Sequence, residues 1–401
     1  MSGLSRLLKS FNSHRLQEMI PFKYEAMAEN IFRFYRGTCH LFYATLNKAK
    51  KAIPASPAVW ICGDLHLENF GSYKADNKLV YFDLNDFDEA ILAPAIWEVI
   101  RLVTSIFIAF DTLEIDPNQA TNMAALFLKV YATTLCVGKA ISIEPRTAKG
   151  IVCQFLEGAE RGTYSEVLEK RTEKRRSRVV LSLKNERHLK LQKTLKKELK
   201  AHISDWIRNS SDGPYNYEVR DVVFRLAGTG SIGVKRYLFL LKSTNTKGRY
   251  LVVDMKQSFS SSLKPYIPIK QPKWKTQGER ITTIQHRMQN MSASLLSTTV
   301  FKGESYVIQE LQPEKDTINF KLIKNQYRDI YQVISDMAVL TASAQLRSSG
   351  MNGSATADEL KFFGRKKGWR KVVLNYAQSY ATGIKNDYRQ FMKDYKNGVF
   401  S

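Results

Sequence analysis

Apolar side chains follow two different rhythms along this chain. Leu191, Leu195, Leu199 and Ile203 recur at every fourth position, and Ile281, Ile284, Met288, Met291 and Leu295 at steps of three and four, the spacing that lays one stripe along a helix. Val219 to Ala227, Val234 to Lys242 and Tyr250 to Lys256 are instead short runs rich in Val, Leu, Phe and Tyr, separated by Gly-rich or polar turns, and predict an antiparallel meander. Thr298 to Phe301 and Tyr306 to Leu311, around the turn Lys302-Gly303-Glu304, add two further strands. Before Asn209 the pattern is mainly helical, with one strand-turn-strand interruption around Val59 to Phe87, and Ser210 to Pro214 marks a break. From Asn325 onward it is helical again, broken at Ser348 to Ser354. The expected class is α+β in three stretches: a helical part over 1–213, a five-stranded antiparallel sheet with one helix over 214–313, and a helical part over 314–401.

Composition agrees with a folded chain: 44% of the 401 residues are hydrophobic and 25% charged, with few Pro and Gly. Charge adds more, because a formal net charge of +23 favours anionic partners. From Lys170 to Lys200 there are 13 basic and 3 acidic residues. This stretch is a solvated helix face or a groove for nucleic acid or an acidic protein, although no interleaved aromatics support base stacking. Cys39, Cys62, Cys136 and Cys153 form no CxxC pair, which speaks against a zinc knuckle or a disulfide framework and for a reducing compartment. The most apolar region, Ile91 to Phe110, is interrupted by Pro94, Glu98 and Arg101, and the N-terminus lacks the apolar core of a signal peptide, so no membrane span is expected and the cytoplasm is the expected location.

The richest chemistry lies between Ile61 and Glu89, ICGDLHLENFGSYKADNKLVYFDLNDFDE. Here a Gly-Asp turn places Asn69 five residues after Asp64, and a strand then ends in Asp83-Leu84-Asn85-Asp86. Phosphoryl transfer uses such a set: Asp64 to orient or deprotonate a hydroxyl, Asn69 to hold a metal, and Asp83, with Asp86, to bridge Mg²⁺ or Mn²⁺ to the phosphates of ATP. Asp64, Asp83, Asp86, Asp88 and Glu89 are hard to account for in so basic a protein without a cation to neutralise them. A Gly-Asp turn with an Asn cap can also be structural. His66 turns the motif into D-x-H, which could open a two-metal phosphoesterase site, but the other histidines lie in helical patterns without ligand spacing, and His66 is expected to shape the loop.

A second motif, Gly228-Thr229-Gly230-Ser231-Ile232-Gly233, lies between two predicted strands, and Lys256 ends the third. A tight hairpin turn could use the same glycines. A dinucleotide-binding loop needs a helix straight afterwards, whereas VKRYLFLLK is strand-like, so a glycine-rich loop over ATP phosphates fits better, with Lys256 on the α- and β-phosphates. Glu279 or Gln285 on the following helix could partner that lysine, and Gln309-Glu310-Leu311 could form the hinge that meets adenine. The order is the reverse of an ordinary kinase, since residues 63–86 precede 228–256, which predicts a circularly permuted, two-lobed kinase-like fold.

The motifs together resemble the largely bacterial domain of unknown function 2252 family. Its pattern is matched by Arg36-Gly37, Cys62 to Gly71, Phe82 to Glu89, Trp97 with Arg101-Leu102 and Ser105, Gly228 to Gly233, Lys256, Tyr306 to Leu311 and Ala344 to Ser348, over nearly the whole chain. The resemblance implies a kinase-like fold similar to aminoglycoside phosphotransferases in its GDxHxxN and DxxD motifs, without a settled substrate. Two departures stand out: Gln345 replaces the family's His in A-H-A-R-S, and Glu310 is inserted before Leu311.

Three functions follow as expectations. The first is ATP- and Mg²⁺-dependent phosphoryl transfer to an unidentified hydroxyl-bearing or anionic acceptor, with Asp64 as base. The second is transfer of AMP to a protein on the same fold. The third is a non-catalytic scaffold or nucleic-acid-binding protein that uses the basic face.

Overall fold

The computed structural model describes residues 2–161, 164–176, 178–311 and 317–400. The chain is an α+β protein built as a helical body and a sheet that face each other. The helix Ala95–Thr112 forms the centre of the body: Ile96, Val99, Ile100, Leu102, Val103 and Ile106 are fully buried, as a helix apolar all round its circumference requires. Pro117–Val137 and Trp369–Lys396 pack against it, and Tyr327–Arg347 packs on Pro117–Val137. Asp116 starts Pro117–Val137 by accepting the amides of Asn118 and Gln119, and Gly138, at φ 70°, ends it. Among the described residues this is the one helix long and apolar enough to cross a membrane, and half of it is buried inside the protein.

Two small two-stranded sheets rise from the body. Ala58–Ile61 pairs with Ile91–Pro94, and Phe70–Lys74 with Val80–Leu84, both antiparallel. They place the chemistry-rich stretch at the edge of the body, facing the sheet.

That sheet is antiparallel and six-stranded, not five-stranded, in the order Ser297–Phe301, Glu304–Glu310, Tyr250–Gln257, Arg236–Ser243, Tyr217–Arg225, His188–Leu189. The five expected strands are present. The sixth is two residues long and lies in the basic stretch expected to be helical, as does the hairpin of Thr172–Arg175 and Arg178–Leu181. Both are too short or too polar to leave a period in the sequence. The helix Lys193–Asn209 buries Leu199, Ile203, Trp206 and Ile207 on the outer face of the sheet, against Val222, Tyr237, Phe239 and Leu241. On the inner face Val223, Leu238, Leu240 and Val252 are covered by Leu181 and the half-buried Val167, Leu168 and Val179. Val167, Leu168, Val179 and Leu181 thus pack with the sheet. The division expected at 313/314 lies outside the described residues.

The helix after the meander runs Gln277–Met288, where Thr276 caps it by accepting the amide of Glu279. It ends before Met291 and Leu295, which had been expected on its stripe. The hairpin at 70–84 captures the chain there: the Tyr73 hydroxyl donates to the Met291 carbonyl, the Gln289 amide to the Leu84 carbonyl, and Ala75 bridges Ala293.

Candidate active site

The Gly-Asp turn is held from behind by buried groups. Gly63 sits at φ 84°, and any Cβ there would run into the backbone of Glu89, so only glycine fits. Its carbonyl accepts the Tyr43 hydroxyl, and the amide of Cys62 donates to Glu98 Oε2 at 2.9 Å. Glu98 is fully buried and also takes the Gln345 side-chain amide at 2.7 Å, while the Tyr131 hydroxyl donates to Gln345 at 2.5 Å. Burial raises the Glu98 carboxyl to about 7. Gln345, the departure from the family pattern, therefore lies in a hydrogen-bonded network behind the turn.

Asp64 follows the turn and meets Arg101 on the central helix, with Nε 2.6 Å and Nη2 2.5 Å from the same carboxylate oxygen. Arg101 is wholly buried, its guanidinium over the rings of Tyr35 (4.2 Å) and Phe42 (5.1 Å). Burial pushes the Asp64 carboxyl up and Arg101 opposes that shift. Beyond Asp64, His66 Nδ1 accepts the Glu68 amide at 3.2 Å, and the Asn69 side chain donates to the Asp64 carbonyl. Arg36 pairs with Glu68.

The three aspartates of the next segment divide by position. Asp83 is buried away from the cavity, accepts the Leu84 amide at 2.9 Å, and lies 3.4 Å from Arg347 on the helix Tyr327–Arg347; burial raises its carboxyl to about 6. Asp86 and Asp88 face outward to the sheet. There Lys256, at the end of its strand, pairs with Asp88 and lies 3.9 Å from Asp86. Burial disfavours the Lys256 ammonium, but Asp86 and Asp88 outweigh it and raise its pKa. Glu279 does not meet Lys256, because its carboxylate turns back to the Lys275 amide at 2.5 Å. Gln285 lines the cavity and donates to Gln289.

The glycine-rich loop joins Tyr217–Arg225 to Arg236–Ser243 through a single 3-10 turn at Thr229–Ser231. The N-terminal segment clasps it: Arg15 Nη1 donates to the carbonyls of Gly230 and Ile232, each at 2.8 Å, and Leu16 donates its amide to Gly233 at 2.9 Å. Gly233 takes φ 83°, and a Cβ there would stand 3.0 Å from that of Arg15.

One cavity of about 430 Å³ collects these parts. Asp64, Asn69, Asp86 and Asp88 line it from the body, and Gly228, Gly230, Ser231, Lys256, Gln309 and Leu311 from the sheet. Thr229 and Gly233 belong to the loop but not to the lining, and neither Asp83 nor Glu310 lines it. The expected hinge spends its amides within the protein, Glu310 on the Ser294 carbonyl (2.8 Å) and Leu311 on that of Val252 (2.9 Å).

The sequence reading missed the inner-face ions. Arg236 binds Asp254 through Nε and Nη2 and Arg225 joins it at 3.0 Å, and although burial disfavours the Asp254 anion, the two arginines hold its carboxyl below the usual carboxylate range. Arg171 and Arg187 line the same end of the cavity. The signal was present in VVDMKQ, where alternation puts Asp254 and Lys256 on one face.

Among the described residues no group of three His, Cys, Asp or Glu side chains is placed to hold a metal by itself. Asp86, Asn85 and Asn69 do offer hard oxygen donors at the cavity, a set that suits Mg²⁺ when phosphate oxygens complete its shell.

The site thus defines an α+β protein with a polar, mixed-charge cavity between a helical body and an antiparallel sheet. The chain belongs to the family described as uncharacterized protein conserved in bacteria, domain of unknown function 2252, which it matches over residues 15–394. No curated protein and no solved structure matches it.

Proposed function

We propose that this protein is a phosphotransferase that moves a phosphoryl group from a nucleoside triphosphate such as ATP to a hydroxyl acceptor, on a kinase-like fold in permuted order. The observation that carries this reading is the single cavity that gathers Asp64, Asn69 and Asp86 from one part of the chain with Gly228, Gly230, Ser231 and Lys256 from another, more than 130 positions later in the sequence. Asp64, oriented by Arg101, accepts the hydroxyl proton as the oxygen attacks the γ-phosphorus. The bond from that phosphorus to the bridging oxygen breaks, and ADP leaves. Lys256 and the loop amides bind the phosphates. A divalent cation held by Asp86 and Asn69 supplies charge neutralisation on the phosphate oxygens. In this reading Asp83 is a positioning residue, because it faces Arg347 and not the cavity.

Thermal unfolding with ATP, with and without Mg²⁺, tests the reading. A ligand at about 100 times its dissociation constant adds roughly 2.7 kcal/mol. Metal-dependent stabilisation that Lys256→Met and Asp86→Asn both lose is the expected result. Wild-type protein that no nucleotide stabilises would leave the assignment without support, and the basic stretch at 170–200 would then be tested for salt-dependent nucleic-acid binding.

A further inference from the structure

A kinase sheet holds its base against an apolar inner face and offers the base the amides of a hinge. Among the described residues neither feature is open. Val223, Leu238, Leu240, Val252 and Leu311 on the inner face are covered by the protein's own Leu181, Val179, Val167 and Leu168. The amides of Glu310 and Leu311 are already bonded to carbonyls of the protein. What the cavity presents at this end instead is cationic: Arg171, Arg187 and Arg225, with Arg236 and Lys256 leading back to the glycine-rich loop. Lys256 and Arg236 face each other across adjacent strands, so the row is continuous from the loop to the arginines. Among the described residues Asp254 is set into the row beside Arg225 and Arg236, which engage it through one and three hydrogen bonds, and Asp88 pairs with Lys256.

We propose, resting on the phosphotransferase reading, that the donor is recognised by its oligophosphate chain. The chain runs beneath the sheet from the glycine-rich loop and Lys256 to an anion subsite of Arg171, Arg187 and Arg225, and no base is bound under the sheet. Arginine suits this task because its guanidinium meets phosphate oxygens in pairs, and at Arg171 and Arg225 the walls of the cavity limit contact with bulk water. A nucleoside triphosphate and inorganic triphosphate share the chemistry. In the nucleotide, the nucleoside then lies toward the mouth of the cavity.

Calorimetric titration of the full chain with inorganic triphosphate, ATP and adenosine, each with Mg²⁺, decides the matter. Inorganic triphosphate and ATP are expected to bind and adenosine not to. Arg187, exposed on the rim, can be changed without disturbing packing. Arg187→Ala should weaken both phosphate ligands about tenfold, the loss of one charge-assisted contact, and Arg187→Glu should weaken them further, with the unliganded melting temperature unchanged in both. Tighter binding of ATP than of inorganic triphosphate identifies the nucleotide as the source of the chain, and equal binding the inorganic form. Adenosine that binds while triphosphate does not, ATP whose binding requires its base, or an Arg187→Glu variant that binds like wild type would each overturn the subsite. If Lys256→Met abolishes ATP binding while both Arg187 variants retain it, the nucleotide site stands and only the subsite falls. If wild type binds none of the ligands, the phosphotransferase reading fails first.

Discussion

Two of the ion pairs that border the cavity are built for opposite purposes. Arg101 is 0% exposed and its partner Asp64 is 21% exposed, with Tyr35 and Phe42 beneath the guanidinium and the central helix behind it. Lys256 is 16% exposed, but its partners Asp88 and Asp86 are 37% and 42% exposed. The Arg101 charge in the first pair has no route to water when the pair is separated. In the second pair the carboxylates are already hydrated, and a phosphate can replace them on the lysine at small cost. The first pair fixes an acid in one place; in the proposed function the second keeps a place until an anionic ligand takes it.

The largest effect expected from breaking this distinction comes at Arg101. Arg101→Leu leaves Asp64 desolvated without its counter-charge, a change that typically costs about 3–5 kcal/mol. Urea unfolding measures the loss. A cost below about 1 kcal/mol would mean that this pair is as replaceable as the other.

Glu98 sharpens the comparison through pH, since it holds the Asp64 turn from behind by accepting the Cys62 amide. Burial raises its carboxyl from 4.5 to about 7. The native state therefore keeps a proton that the unfolded chain releases between those values. Stability from this group is full below about 4.5 and falls as pH rises toward 7. Glu98→Gln removes the titration, so the variant should gain on wild type by roughly 3 kcal/mol at most between pH 4.5 and pH 8. Parallel stability curves for the two proteins over that range would show that Glu98 titrates normally in the fold.

The same contrast explains what was legible in the sequence. Asp64, Asn69, Lys256 and the glycine-rich loop could be named from local spacing, because a turn, a strand end and a hairpin each leave a short pattern. The five longer strands were legible for the same reason, since alternation over several residues survives in the sequence. The direction each aspartate faces was not, because tertiary partners decide it: Arg347, far along the chain, turns Asp83 inward, while Lys256 meets Asp88 and not the helix acid Glu279. The polar hairpin at 172–181 was lost for a different reason. Thr-Glu-Lys-Arg and Arg-Val-Val-Leu carry no apolar alternation, and only Leu181 is fully buried. That hairpin covers the inner face of the sheet, so the feature that most changes the view of the ligand was the least visible.

A smaller effect is expected where the N-terminal segment clasps the glycine-rich loop. Gly233→Ala forces a side chain to φ 83° and crowds Arg15 at 3.0 Å, and the left-handed conformation alone costs about 1–2 kcal/mol. Thermal unfolding should register that loss. An unchanged melting temperature would mean that the loop can move away from Arg15 freely, which would place it with the replaceable contacts.

The smallest effect on stability should come from Lys256→Met, which keeps the packing of the stem and removes only the ammonium. Asp86 and Asp88 remain hydrated at the cavity, so the pair behaves more like an exposed one, worth about 1 kcal/mol or less. Binding should respond the other way. Without the ammonium, the phosphates lose the cation that two carboxylates had been holding for them, and the stabilisation by ATP should disappear. Urea unfolding of the unliganded variant, set beside its melting temperature with ATP, separates the two. A large stability loss with ATP binding intact would reverse the roles assigned to the two pairs: Lys256 would then hold the body to the sheet, and Arg101 would have to be examined as the group that answers to the ligand.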